Sequence, residues 1–138
     1  MLIGNSDYSH RRSEEGYAGF GDLPAVETDL ENTKNGLKRL GVRDDEIEIL
    51  RNADFKTMSK KLKALDLEII NSQDENKKTL LFVYYAGHGI LKGYTKAVCN
   101  QAQRAFHVFF PLEQQLRTIA TQPGAYVIGV FDCCRADF

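Results

Sequence analysis

Residues 79–89, "TLLFVYYAGHG", constrain the fold of this chain more than any other stretch. The run is continuously apolar, aromatic and β-branched, as a strand covered on both faces requires, and strands of that kind belong to parallel sheets. It ends abruptly in two glycines framing His88. "AYVIGVF", residues 125–131, has the same character and runs into "DCCR". Amphipathic helical patterns lie between the apolar runs, so the chain is expected to form an α/β sheet, mostly parallel, with helices on both faces. Ligand sites in such sheets gather beyond the carboxyl ends of the strands. "AGHG" and "DCCR" should therefore emerge at one edge.

The remaining elements fit this frame. "MLIG" reads as a first strand, and residues 5–22 as a polar, glycine-rich loop. In "LPAVETDLENTKNGLKRLG", Val26, Leu30, Thr33, Leu37 and Leu40 fall at helical spacing, with Pro24 near the start and Gly41 past the end. "EIEILRN" is a short strand in which Ile47 and Ile49 alternate with acids. Phe55, Met58, Leu62, Leu65 and Ile69 form one stripe of a second helix over residues 54–71. "NSQDENKK" is a polar surface turn. A third helix follows Pro111, with Leu112, Leu116 and Ile119 inward and Pro123-Gly124 as its stop. Residues 90–110 carry little pattern beyond "FHVFF", an extended piece.

Composition excludes several classes of function. The 138 residues carry a net charge of −1, which gives no electrostatic footprint for nucleic acid or an anionic membrane. No apolar run approaches the roughly 20 residues of a membrane span, and no secretory leader is visible. The three cysteines, Cys99, Cys133 and Cys134, do not make a disulfide framework, and a vicinal pair bridges itself only with backbone distortion. Reduced thiols in a cytoplasmic setting are expected. Scattered histidines and the lack of a CxxC pair argue against zinc. Neither GxGxxG nor GxxxxGK[ST] occurs, which disfavours a flavodoxin-like ligand-binding domain.

What remains is a thiol and an imidazole at one sheet edge, the pair that nucleophilic acyl transfer needs. Either Cys133 or Cys134 can supply the thiol. The flanking glycines allow close backbone approach, and the Gly89 N–H is a candidate oxyanion donor. His10, His107, Cys99, Arg11-Arg12 and Lys60-Lys61 lie in no such motif and read as loop, packing or solvated positions. Tyr84 and Tyr85 read as packing in and around the third strand.

"LLFVYYAGHG" followed by "YVIGVFDCCR" resembles the caspase-like cysteine peptidases, specifically their paracaspase and metacaspase branch. "LIGNSDY" is similar to that family's first strand, and "LPAVETDL" to its first-helix segment, with Asp29 six positions after the leucine. The resemblance implies a caspase-like three-layer α/β/α sandwich. Its D-x-C pattern falls on Asp132, Cys133 and Cys134, making Cys134 the nucleophile and His88 the base. The N–H groups of Gly89 and Cys134 would serve as oxyanion donors, and Cys133 would turn back into the sheet. It also implies that Asp29 and Asp132 line the pocket before the scissile bond and select polypeptides with Arg, and then Lys, at that position. Arg135 matches the family's basic residue after the cysteine, without an assigned role.

Family members continue beyond the point where this chain stops. Residues 1–138 are therefore expected to be the large-subunit portion, inactive alone, with the small-subunit portion absent. Calcium dependence occurs in the branch, but no calcium loop is visible, and no cofactor is expected. Self-association is among the partner modes the resemblance implies. The alternative is a catalytically silent caspase-like module used for interaction or assembly.

Overall fold

The computed structural model describes residues 1–8, 20–72, 78–99, 108–134 and the backbone of 136–137. His10, Arg11, Arg12, His107 and Arg135 lie outside the described residues. The chain runs β1 (Leu2–Gly4), α1 (Ala25–Arg39), β2 (Ile49–Arg51), α2 (Phe55–Asn71), β3 (Thr79–Ala86), β4 (Gly89–Lys92), β5 (Tyr94–Val98), β6 (Phe109–Phe110), α3 (Leu112–Ile119), β7 (Ala125–Asp132) and β8 (Ala136–Asp137). Strands β2-β1-β3-β7 form a sheet in which every pair is parallel. A second, smaller sheet has the order β6-β5-β4-β8.

Strand alternation builds the three layers. Leu2, Tyr84 and Ala86 point to one face and bury Val26 and Leu30 of α1. Ile3, Leu81, Val83 and Tyr85 point to the other, against Met58, Leu62 and Ile69 of α2 and Leu112, Leu116 and Ile119 of α3. The helical stripes of α2 and α3 fall on the residues the sequence indicates. The Asp54 carboxylate caps α2, accepting from the Thr57 N–H at 2.7 Å.

Four expectations need correction. Leu40 is 83 % exposed, because α1 ends before it and turns at Gly41 (φ 92°). The second strand starts at Ile49, since Asp44–Glu46 wind into a 3-10 turn whose Glu46 carboxylate accepts from the Arg43 N–H. Residues 89–98 form an antiparallel hairpin, with Gly93 (φ 75°) at its turn. Strand β7 is not buried on both faces. It is an outer strand of its sheet, and Tyr126, Ile128 and Val130 are 54, 47 and 40 % exposed, beside an exposed Leu80 on β3. No helix among the described residues is long and apolar enough to cross a membrane.

Asn5, fully buried just after β1, joins the two sheets. Its Nδ2 donates to the Val98 carbonyl of β5 at 2.9 Å, and its Oδ1 accepts from the Ala53 N–H ahead of α2 at 2.9 Å. Asn5→Ala leaves both backbone groups buried without that partner. It should cost about 2–3 kcal/mol, read as a lowered denaturation midpoint in urea with an unchanged m-value.

Candidate functional site

Two parallel ladders define the candidate site. In the main sheet Ala86 of β3 faces Asp132 of β7. In the small sheet Ile90 of β4 faces Ala136 of β8. The offset between partners is 46 residues in both ladders, and His88 and Cys134 share it. These two residues thus occupy matching positions in the gap where one sheet hands over to the other. The Gly87 N–H bridges the gap to the Asp132 carbonyl at 3.3 Å.

Backbone and ring contacts fix His88. Its carbonyl accepts from the Tyr85 hydroxyl at 2.6 Å and from the Val98 N–H at 2.9 Å. Its N–H donates to the Tyr8 hydroxyl at 3.0 Å. The half-buried ring packs against both Tyr8 and Phe20, at centroid distances of 4.7 and 4.9 Å. Its Nε2 lies 2.8 Å from the Gly21 carbonyl. A carbonyl can only accept, so Nε2 carries the proton, and Nδ1 is the basic nitrogen of the neutral ring. Burial pushes the Tyr85 hydroxyl far above its ordinary pKa, so it remains a donor.

The two adjacent cysteines part company at the end of β7. Cys134 is exposed, whereas Cys133 is half-buried and packs against the cluster containing Tyr85, Cys99 and Phe110. Gly89 makes room for this: a Cβ there would lie 2.6 Å from Cys133 Sγ and 3.0 Å from the Cys134 carbonyl oxygen. At Gly87, where φ is 154°, a Cβ would lie 2.6 Å from the Tyr85 hydroxyl and 2.9 Å from that of Tyr8. Both glycines are therefore required by close packing around His88, and Gly87 by its backbone conformation as well.

Asp29 and Asp132 both act on a third residue. The Tyr84 hydroxyl donates to Asp132 Oδ2 at 3.0 Å, and the charges of Asp132 and Asp29 both raise the Tyr84 pKa. The structure thus brings the four side chains singled out in sequence to one end of the main sheet. Sequence reasoning missed the Gly21 carbonyl, the rings of Tyr8 and Phe20, and the two tyrosine hydroxyls. The "YY" pair held a usable signal: consecutive strand residues point to opposite faces, so one hydroxyl goes to each side of the sheet. A separate groove of about 310 Å³ between α3 and β7, lined by Glu113, Leu116, Arg117, Val127 and Phe131 among others, contains none of the candidate residues. Among the described residues no group of three or more His, Cys, Asp or Glu side chains gathers to hold a metal ion.

Comparison with known proteins agrees with this architecture. No curated protein matches the chain. The family model described as the caspase domain matches residues 1–138, the whole length, including the strand that leads to His88 and the strand that leads to Cys134. With its parallel four-stranded sheet, its flanking helices and a histidine and a cysteine at one sheet edge, the chain belongs to the caspase-domain family of cysteine peptidases.

Proposed function

We propose that the protein is a cysteine endopeptidase that hydrolyses peptide bonds following Arg or Lys, with Cys134 as nucleophile and His88 as base. The observation that carries this reading is the pinned imidazole: Nε2 is committed to the Gly21 carbonyl, at the chain position that matches Cys134 across both ladders. In the reaction, Nδ1 of His88 takes the Cys134 thiol proton, and the thiolate attacks the scissile carbonyl carbon. The resulting oxyanion is held by the N–H groups of Gly89 and Cys134. Collapse breaks the C–N bond, the imidazolium protonates the leaving amine, and a thioester remains on Cys134. Water, losing a proton to His88, then hydrolyses the thioester and restores the thiol.

Specificity comes from charge. Two carboxylates held near one phenol repel each other until a cation enters, and a guanidinium satisfies two acceptors at once. Asp29 and Asp132 are the residues we assign to this pocket, and both act on Tyr84. The proposed chemistry calls on no cofactor. A cytoplasmic setting and self-association complete the reading. They follow from the family resemblance and from three cysteines none of which is in a disulfide.

The test is cleavage by the intact protein of matched peptides with Arg, Lys, Asp or Ala before the scissile bond. Cys134→Ala should lower kcat/KM on the Arg peptide by at least about 10³-fold, while Cys133→Ala stays within a few-fold of wild type. The reverse ranking of the two cysteines would move the nucleophile. Asp132→Asn should lower Arg cleavage by about 10- to 100-fold and leave Ala cleavage nearly unchanged. A preference for the Asp peptide would overturn the pocket while keeping the peptidase. Gly89→Ala should lower kcat on every peptide by at least about tenfold, because the new methyl displaces Cys133 and the Cys134 carbonyl. No cleavage in any arm, with Cys134 no more reactive toward iodoacetamide than an ordinary exposed thiol, would favour the silent assembly module.

A further inference from the structure

Tyr84 is 7 % exposed, and the chemistry above leaves its hydroxyl unused. Its ring belongs to the α1-side cluster with Leu2, Val26 and Leu30. The hydroxyl reaches past that cluster to the carboxyl end of β7 and donates to Asp132 Oδ2 at 3.0 Å. On its other side the phenol neighbours α1, where the Thr33 side chain acts on it and tends to lower its pKa. Thr33 lies one helical turn beyond Asp29, and residues four apart share a helix face. The phenol therefore bonds the acid at the end of the outer strand and stands next to the turn of α1 that carries the second acid.

We propose that Tyr84 is a positioning residue for substrate specificity, its hydroxyl holding the Asp132 carboxylate beside Asp29 so that the pair meets a guanidinium as two fixed acceptors. The inference rests on the reading of Asp29 and Asp132 as an acidic pocket for a basic side chain and extends it to a residue that touches no substrate. Asp132 is exposed and Asp29 half-buried. Without a restraint, mutual repulsion turns two such carboxylates apart, and each substrate pays the cost of bringing them back. A buried donor that already holds one of the carboxylates removes that cost in advance. The donor must also stay protonated. Burial, followed by the hydrogen bond to Asp132 and the charges of Asp132 and Asp29, raises the Tyr84 phenol to about 12. It therefore donates throughout the range in which a thiol–imidazole pair works.

The two basic side chains respond differently to such a clamp. Arg presents a planar fork that needs acceptors at fixed spacing. Lys presents a compact ammonium that tolerates a displaced carboxylate. Loss of the clamp therefore penalises Arg more than Lys.

The experiment is Tyr84→Phe in the intact protein, which keeps the ring in the α1-side cluster and deletes only the donor. Its readouts are kcat and KM on matched Arg and Lys peptides and the rate of Cys134 alkylation by iodoacetamide. The expected result is a KM for the Arg peptide raised about tenfold with kcat little changed. The Arg-to-Lys preference should fall several-fold, and alkylation should proceed at the wild-type rate. Thr33→Val, which removes the neighbouring α1 hydroxyl alone, should shift KM in the same direction by less. In a double-mutant cycle, Tyr84→Phe should add little to Asp132→Asn, since both act through one carboxylate.

Unchanged KM and unchanged preference in Tyr84→Phe would overturn the proposal. So would a loss spread equally over kcat, KM and alkylation, which marks a role in folding alone, or full additivity with Asp132→Asn. A wild-type protein that cleaves neither Arg nor Lys peptides removes the acidic pocket and this inference together. Wild-type cleavage matched by Tyr84→Phe removes this inference alone.

Discussion

The register between β3 and β7 is the constraint on which the rest of the site depends. Eight consecutive residue pairs, from Thr79 with Ala125 to Ala86 with Asp132, lock the two longest strands in parallel. A slip of one residue would turn every side chain of β7 to the opposite face of the sheet. At the end of that strand the consequence is chemical, because adjacent sulfurs sit on either side of the alternation. The present register packs Cys133 against the core and exposes Cys134. The choice of accessible thiol is made along the whole ladder, and the pairing of β4 with β8 repeats the same offset beyond it.

Around this register the protein holds His88 chiefly through backbone groups. Its carbonyl takes two donors, its N–H takes the Tyr8 hydroxyl, and its ring takes the Gly21 carbonyl. A carbonyl has no ionisable state, so it fixes the tautomer without adding charge near the ring. A carboxylate in the same place would also fix the tautomer, but it would stabilise the imidazolium directly. The device here supplies orientation, and the aromatic walls of Tyr8 and Phe20 restrict solvent around the ring.

The sequence is legible wherever periodicity and burial agree. The stripes Met58–Leu62–Ile69 and Leu112–Leu116–Ile119 mark α2 and α3 because each helix packs a single face on the sheet. The common edge of "AGHG" and "DCCR" is readable because parallel strands emerge side by side. Legibility fails where an apolar residue has no cover. Tyr126, Ile128 and Val130 read as buried, and nothing within β7 itself distinguishes an outer strand from a central one. The hairpin at residues 89–98 is masked by short strands with mixed side chains around Gly93. The contacts that orient the site elude sequence reading for a different reason. Gly21 is 67 residues from His88, and Tyr8 is 80 residues away. Only the closed fold brings such groups into reach.

Asn5 gives the two sheets a shared fate. Its side chain holds the Val98 carbonyl and the Ala53 N–H at once, while its own N–H donates to the Ala86 carbonyl at the end of β3. Val98 also donates to the His88 carbonyl. The small sheet therefore cannot swing away from the main one as an independent flap. Any opening that exposes the Val98 amide to solvent must release the backbone of His88 and strand the amide of Asn5 in the same event. Sub-global unfolding of the β4–β5 hairpin and loss of the imidazole's setting are one transition, and the site persists only as long as the junction between the sheets stays closed.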